Sequence, residues 1–160
     1  MSRILSVWVD DKPGVLTRIS GLISRRGFNI ESLAVSNTED TERSRVTMVV
    51  DADEVIVEQV TKQLNKLINV YKVVDLTDVD HIERELVLFK VCAGPDERGS
   101  IIELASIFRA KIVDVAASTL TIEMTGTTDK LDAMEDLLGP YGIKEIIRSG
   151  KIAISRGSAS

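Results

Sequence analysis

The sequence predicts an α+β protein made of two tandem βαββαβ domains, each an antiparallel sheet with both helices on one face. Three observations carry that expectation. Apolar residues alternate with period 2 in some stretches and recur at helical spacing in others, in the order strand, helix, strand, strand, helix, strand. The second half repeats this order at a shift of 84 residues, and a polar segment, residues 75–81, separates the halves. Two domains follow, residues 1–78 and 79–160, and a chain of 160 residues suits two small cores.

In the first domain Leu5, Val7 and Val9 alternate with Ser6 and Trp8, the pattern of a half-buried strand. Asp11-Lys12-Pro13-Gly14 then turns into a helix. Pro13 suits its first position, Asp11 is close enough to cap it, and Val15, Leu16, Ile19, Leu22 and Ile23 form its inner face. Arg25, Arg26 and Gly27 end it with two cations at the negative end of the dipole and a residue free to adopt positive φ. Phe28 and Ile30 share one strand face, but Leu33 and Val35 resume the alternation out of phase, which predicts a bulge between them. Val46, Met48 and Val50 mark a third strand; Ile56, Val57, Val60, Leu64 and Leu67 a second helix; Val70, Val73, Val74 and Leu76 a fourth strand.

The second domain reads as a strand over 86–93 and a helix over 97–108 with Ile101, Leu104, Ala105 and Phe108 inward. Strands follow over 112–116 and at Leu120, Ile122 and Met124; Thr128 caps a helix carrying Leu131, Met134, Leu137 and Leu138, and residues 143–154 close the series. Where the first domain has Gly27 and Asn29, the second has Lys111 and Val113, so it cannot reuse a site built on Asn29.

Charge narrows the partners. Residues 1–78 carry 10 basic and 12 acidic side chains and residues 79–160 carry 10 and 13, so neither half has the basic excess that nucleic acid attracts. No apolar run approaches the length of a membrane span, the first residues enter a strand pattern without room for a signal peptide, and the single cysteine, Cys92, reads as a buried thiol of a reducing compartment. A soluble cytoplasmic protein is expected, or a plastid one in a photosynthetic eukaryote.

The candidate site is the turn at Gly14 together with Asn29, fifteen residues on. The turn would direct free backbone N–H groups and the positive end of a helix dipole outward, and the Asn29 amide would converge with it on one edge of the sheet, making a pocket for a small carboxylate. Neighbouring Asp10 and Asp11 point to opposite faces of a strand and so share neither a metal nor a proton. His81 reads as a solvated linker residue, Gly94-Pro95-Asp96-Glu97-Arg98-Gly99 as a plain turn, and the acidic set Asp129, Asp132, Glu135 and Asp136 as a solvated helix face. No nucleophile, base or metal constellation emerges, which argues against an enzyme acting alone.

The run from Ile4-Leu5-Ser6-Val7-Trp8-Val9 through Gly14-Val15-Leu16-Thr17-Arg18-Ile19 to Arg25-Arg26-Gly27-Phe28-Asn29-Ile30-Glu31-Ser32-Leu33 resembles the ACT domain of the acetolactate synthase (acetohydroxyacid synthase) small subunit. Lys62-Gln63-Leu64-Asn65-Lys66-Leu67-Ile68-Asn69-Val70, Glu83-Arg84-Glu85-Leu86 and Ile146-Ile147-Arg148-Ser149-Gly150 resemble the same family, and the likeness covers nearly the whole chain. The resemblance implies tandem ferredoxin-like domains, the first an ACT domain, in a regulatory subunit with no active site of its own. It implies a separate large catalytic subunit carrying thiamine diphosphate, FAD and magnesium, activation of that subunit, and feedback inhibition by valine or another branched-chain amino acid. It implies a homodimer through the ACT domains, with Asp11, Gly14, Val15 and Leu16 of one chain and Asn29 and Ile30 of the other holding the amino acid. Some family members carry asparagine where this chain has Asp11. A stand-alone ACT-type amino-acid sensor of another enzyme is the alternative.

Overall fold

The computed structural model describes residues 2–27 and 29–157. Phe28, half of the pair that shares a strand face with Ile30, lies outside them. The chain divides into two compact units, one running to Ile82 and resuming from Lys151, the other spanning Glu83–Gly150.

In the first unit, β1 (Ser2–Asp10), α1 (Val15–Arg25), β2 (Ile30–Asn37), β3 (Arg43–Asp51), α2 (Glu54–Asn65) and β4 (Val70–Asp75) follow the expected order. The sheet is antiparallel with strand order β2-β3-β1-β4, the ferredoxin-like arrangement. Leu5, Val7 and Val9 of β1 and Val46, Met48 and Val50 of β3 face both helices, burying Val15, Ile19, Leu22 and Ile23 of α1 and Val57, Val60 and Leu64 of α2. Leu16, placed on the inner face by its spacing, is instead 39% exposed. The predicted bulge is present: the register between β2 and β3 shifts between Ile30 and Ser32, which leaves Glu31 as the extra residue.

In the second unit, β5 (His81–Cys92), α3 (Arg98–Ile107), β6 (Lys111–Val115), β7 (Thr119–Gly126), α4 (Thr128–Leu138), a 3-10 turn (Gly139–Tyr141) and β8 (Ile143–Arg148) repeat the plan with strand order β6-β7-β5-β8. Val87, Phe89 and Val91 pack with Leu120, Ile122 and Met124 against Ile101, Ala105, Leu131, Met134 and Leu138. Cys92 is only half-buried, because it falls between Val91 and Ala93 on the alternate face of β5. Thr128 is the first helical residue of α4 and Thr127 the cap position, without a side-chain hydrogen bond. Of the acidic helix face, Asp132 and Glu135 each accept a 2.8 Å hydrogen bond from Arg148, so that face is partly an ion-pair network.

Two further features depart from the sequence reading. Residues 75–81 are packed rather than a free linker: Arg3 bonds Asp75 at 2.7 Å and Asp78 at 3.1 Å, the Ile4 N–H donates to Thr77 at 2.9 Å, Leu76 is buried, and His81 opens β5 with its ring 2.6 Å from the Val79 carbonyl. The closing stretch 143–154 is also two strands. The chain breaks after β8, with Gly150 at φ +89°, and β9 (Ile152–Ser155) pairs with β5, whose first two residues belong to the first unit. The last segment therefore clusters with the first unit, whereas a division at residues 78 and 79 places it with the second.

Candidate functional site

The turn after β1 is anchored through its backbone. The Asp11 N–H donates to the Glu42 carbonyl at 2.9 Å and the Lys12 N–H to the Asp10 carbonyl at 3.0 Å. Gly14, at φ 85° and ψ −10°, is the residue before α1, and its carbonyl accepts the first helical bond from the Arg18 N–H at 3.1 Å. A left-handed cap position carrying no side-chain oxygen cannot accept an N–H of the first turn, and α1 has no side-chain cap bond and no acidic residue in that turn. Asp11 is exposed and does not cap, contrary to expectation, because Gly14 takes the cap position and Pro13 lies in the turn. The Val15 N–H reaches the Lys12 carbonyl at only 3.5 Å. Val15 itself is buried and pins the turn to the core, while Leu16 presents its side chain beside the open helix end. The result is a positive helix terminus without a side-chain cap, next to an exposed carboxylate and an exposed apolar side chain.

A polar cluster that the sequence did not announce flanks this turn. The Tyr71 hydroxyl donates to Asp10, and the Arg43 guanidinium lies 3.9 Å from the centre of the Tyr71 ring. The Asp10 hydrogen bond, helped by desolvation, raises the Tyr71 pKa above its ordinary value. With the Asn69 amide turned so that its nitrogen faces the carboxylate and its oxygen the guanidinium, the orientation that satisfies both neighbours, it donates to Asp10 at 2.8 Å and accepts from Arg18 at 3.0 Å. Arg18 stands one helical turn after Gly14 on α1, and nothing in its spacing marks it out.

Asn29 and Ile30 lie elsewhere. The Asn29 carbonyl accepts from the Asp51 N–H at 3.3 Å and Ile30 pairs with Val50, which places both at the sheet end where Ser2 faces Asp51. The Gly14 turn sits at the other end, where Asp10 faces Arg43. The eight residue steps of β1 between those pairings span about 26 Å. Asp11, Gly14, Val15 and Leu16 thus meet in one turn, and Asn29 and Ile30 meet at a second place; the convergence on one sheet edge does not occur within a chain. Asn29 is exposed, and Ile30 is half-buried against the helix-side core. Among the described residues no group of three or more His, Cys, Asp or Glu side chains is arranged to hold a metal, and no helix is long and apolar enough to cross a membrane.

Comparison with known proteins bears on this arrangement. Residues 5–72 match the family model described as an AHAS small subunit-like ACT domain, and residues 84–157 match that of the small subunit of acetolactate synthase. The chain is 56% identical over 156 residues to the acetolactate synthase small subunit of Mycolicibacterium smegmatis, covering 98% of this chain and 92% of that one. It is 53% identical over 158 residues to the probable acetolactate synthase small subunit of Archaeoglobus fulgidus, covering 99% of each. The crystal structure of the acetolactate synthase small subunit from Thermotoga maritima superposes with a TM-score of 0.90 at 37% identity, covering 99% of both chains. Two ACT-like units in tandem, an open helix terminus in the first, and full-length likeness to these relatives together show that the chain belongs to the acetolactate synthase small subunit family.

Proposed function

We propose that this chain is a regulatory subunit that raises the activity of a separate acetolactate synthase catalytic subunit and makes it sensitive to feedback inhibition by valine or another branched-chain amino acid. In this reading thiamine diphosphate, FAD and magnesium belong to the catalytic subunit. The observation that carries the effector site is the uncapped, positive N-terminus of α1 at Gly14, suited to the carboxylate of an amino acid. Asp11, exposed beside it, would accept from the ammonium group, and Leu16 would meet the branched side chain.

The remaining half of the site comes from a second copy. Asn29 and Ile30 sit at the far end of the same sheet, so a two-fold dimer with antiparallel edges sets each Gly14 turn against the partner's Asn29 end. β2 is an edge strand of that sheet, with Val35 exposed, and supplies an edge for such pairing.

The test is reconstitution with the cognate catalytic subunit. The isolated chain forms no acetolactate from pyruvate, while the reconstituted enzyme is faster than the catalytic subunit alone and is inhibited by valine. Gly14→Asp and Asn29→Ala weaken inhibition while leaving activation intact; losing the Asn29 bond to a charged group costs ~1.5–3 kcal/mol, roughly ten- to hundredfold in affinity. Wild-type inhibition curves for both variants overturn the pocket, and amino-acid binding without any effect on acetolactate formation favours a stand-alone sensor of another enzyme.

A further inference from the structure

The segment after Gly150 belongs to the first unit, and its attachments are specific. The Lys151 N–H donates to the Ser32 hydroxyl at 2.8 Å. Two residues on, the Ala153 carbonyl accepts from Arg45 at 2.8 Å, and the Arg156 N–H donates to the Asp80 carbonyl at 2.9 Å. Ala153, 6% exposed, packs with Ile4, Val49 and Leu76 on the sheet face away from the helices. Arg45 is itself fixed: its Nε donates to Ser6 at 2.6 Å and its guanidinium lies 4.5 Å from the Trp8 ring centre. Desolvation holds the Arg45 pKa below the ordinary arginine value, against the pull of Glu39.

Where these attachments fall matters. Ser32 is the first residue past the bulge, two positions from Ile30 and three from Asn29, and it pairs with Val49 of the Ala153 cluster. The bulge leaves its extra residue outside the ladder, so the backbone from Ile30 to Ser32 can readjust without breaking the pairing on either side. Glu31, that extra residue, is held from the side by the Ser2 hydroxyl at 2.8 Å. The chain links the second unit to the first at two peptide bonds, Ile82–Glu83 and Gly150–Lys151, and Ser32 grips the amide of the latter.

We infer that the 151–157 segment is the relay of the regulatory signal: an amino acid bound at Asn29 and Ile30 resets the bulge, shifts the Ser32 hydroxyl, and changes the hold on Lys151, with Ser32 and Arg45 as positioning residues that never touch the effector. This inference rests on the effector site proposed above. It accounts for a hydroxyl and a guanidinium being spent on backbone groups of a segment more than a hundred residues away in sequence.

The experiment uses the full chain, free and reconstituted with the catalytic subunit, and compares wild type with Ser32→Ala, Ser32→Thr and Arg45→Gln. Valine binding is read by calorimetry, activation and inhibition by acetolactate formation, and amide exchange of 151–157 by mass spectrometry with and without valine. In the wild type valine changes exchange in 151–157. In Ser32→Ala that response disappears, basal exchange at Lys151 rises up to about tenfold, and inhibition is lost, while valine affinity stays within about threefold and activation is unchanged. Arg45→Gln does the same, and Ser32→Thr, which keeps the hydroxyl, restores inhibition. A purely structural role would instead lower affinity, activation and inhibition together. The relay is overturned if Ser32→Ala binds valine and is inhibited like the wild type, or if valine leaves exchange in 151–157 unchanged. If wild-type chain fails to bind any branched-chain amino acid, the effector site itself is overturned and the relay with it.

Discussion

Replacing Gly14 by alanine separates the backbone's demands from those of a ligand. Gly14 has φ +85°, and a Cβ built on it meets nothing within 4 Å, so the substitution introduces no clash and its whole cost is conformational. For an L-residue the left-handed region costs roughly 1–2 kcal/mol, and alanine is also a poorer cap than glycine. With a domain of this size losing about 4–8 °C per kcal/mol, the first unit of Gly14→Ala should melt several degrees below wild type. Gly21 supplies the control of opposite sign: it lies inside α1, is also free of neighbours within 4 Å, and lacks a positive φ, so Gly21→Ala should stabilise by roughly 0.5–1 kcal/mol. Calorimetric melting and urea titration of the ligand-free chain read both. If Gly14→Ala is neutral or stabilising, Gly14 is not held left-handed, and the argument that α1 opens without a cap because of its conformation fails.

Other consequences are independent. Arg3→Met removes the buried partner of Asp75 and should cost about 1.5–3 kcal/mol in urea titration. Desolvation pushes the Asp75 pKa up, but hydrogen bonds from Thr77 and Arg3 outweigh it and hold the carboxyl below its ordinary value. Its contribution to stability is therefore present above the unfolded pKa of about 3.9 and disappears as pH falls through the lower folded value; Asp75→Asn should flatten the acid limb of a stability profile below about pH 4. Phe89→Ala, which empties the centre of the second core, should cost about 3–5 kcal/mol, and a loss under about 1 kcal/mol in melting would contradict the packing. Sedimentation at micromolar concentration with valine present should give a dimer, since the two halves of the proposed site lie at opposite ends of one sheet; a strict monomer would count against a shared site.

The order of elements, the two βαββαβ repeats and most core residues could be read in the sequence because they depend on local periodicity. Val15, Ile19, Leu22 and Ile23 recur at helical spacing, and Leu5, Val7 and Val9 at period 2. Even the bulge at Glu31 showed as a phase slip between Ile30 and Leu33. The turn at Gly14 was legible too, because Pro-Gly before an apolar helix face marks a break, but its left-handed cap position was not: the spacing puts Pro13 first in the helix and Asp11 at the cap, whereas α1 opens at Val15 with Gly14 at φ 85°. Periodicity reported Leu16 wrongly: a residue one position from Val15 lies at the border of the stripe, and only the packed helix decides whether it is covered.

What the tertiary structure alone decided is which of these local features meet. The Asp10, Asn69, Arg18 and Tyr71 cluster joins residues from β1, α1 and both sides of the start of β4. The separation of Gly14 from Asn29 follows from strand direction, which a spacing of fifteen residues does not encode. The return of 151–157 to the first unit left no trace in the pattern of Ile152, Ala153 and Ile154, which alternates as any strand would. The physical reason is one of range. Alternation and helical spacing record which side of a segment is buried, whereas the partner that buries it is chosen by the free energy of the whole assembled chain, and Ala153 finds Ile4 and Val49 only once the first sheet exists to receive it.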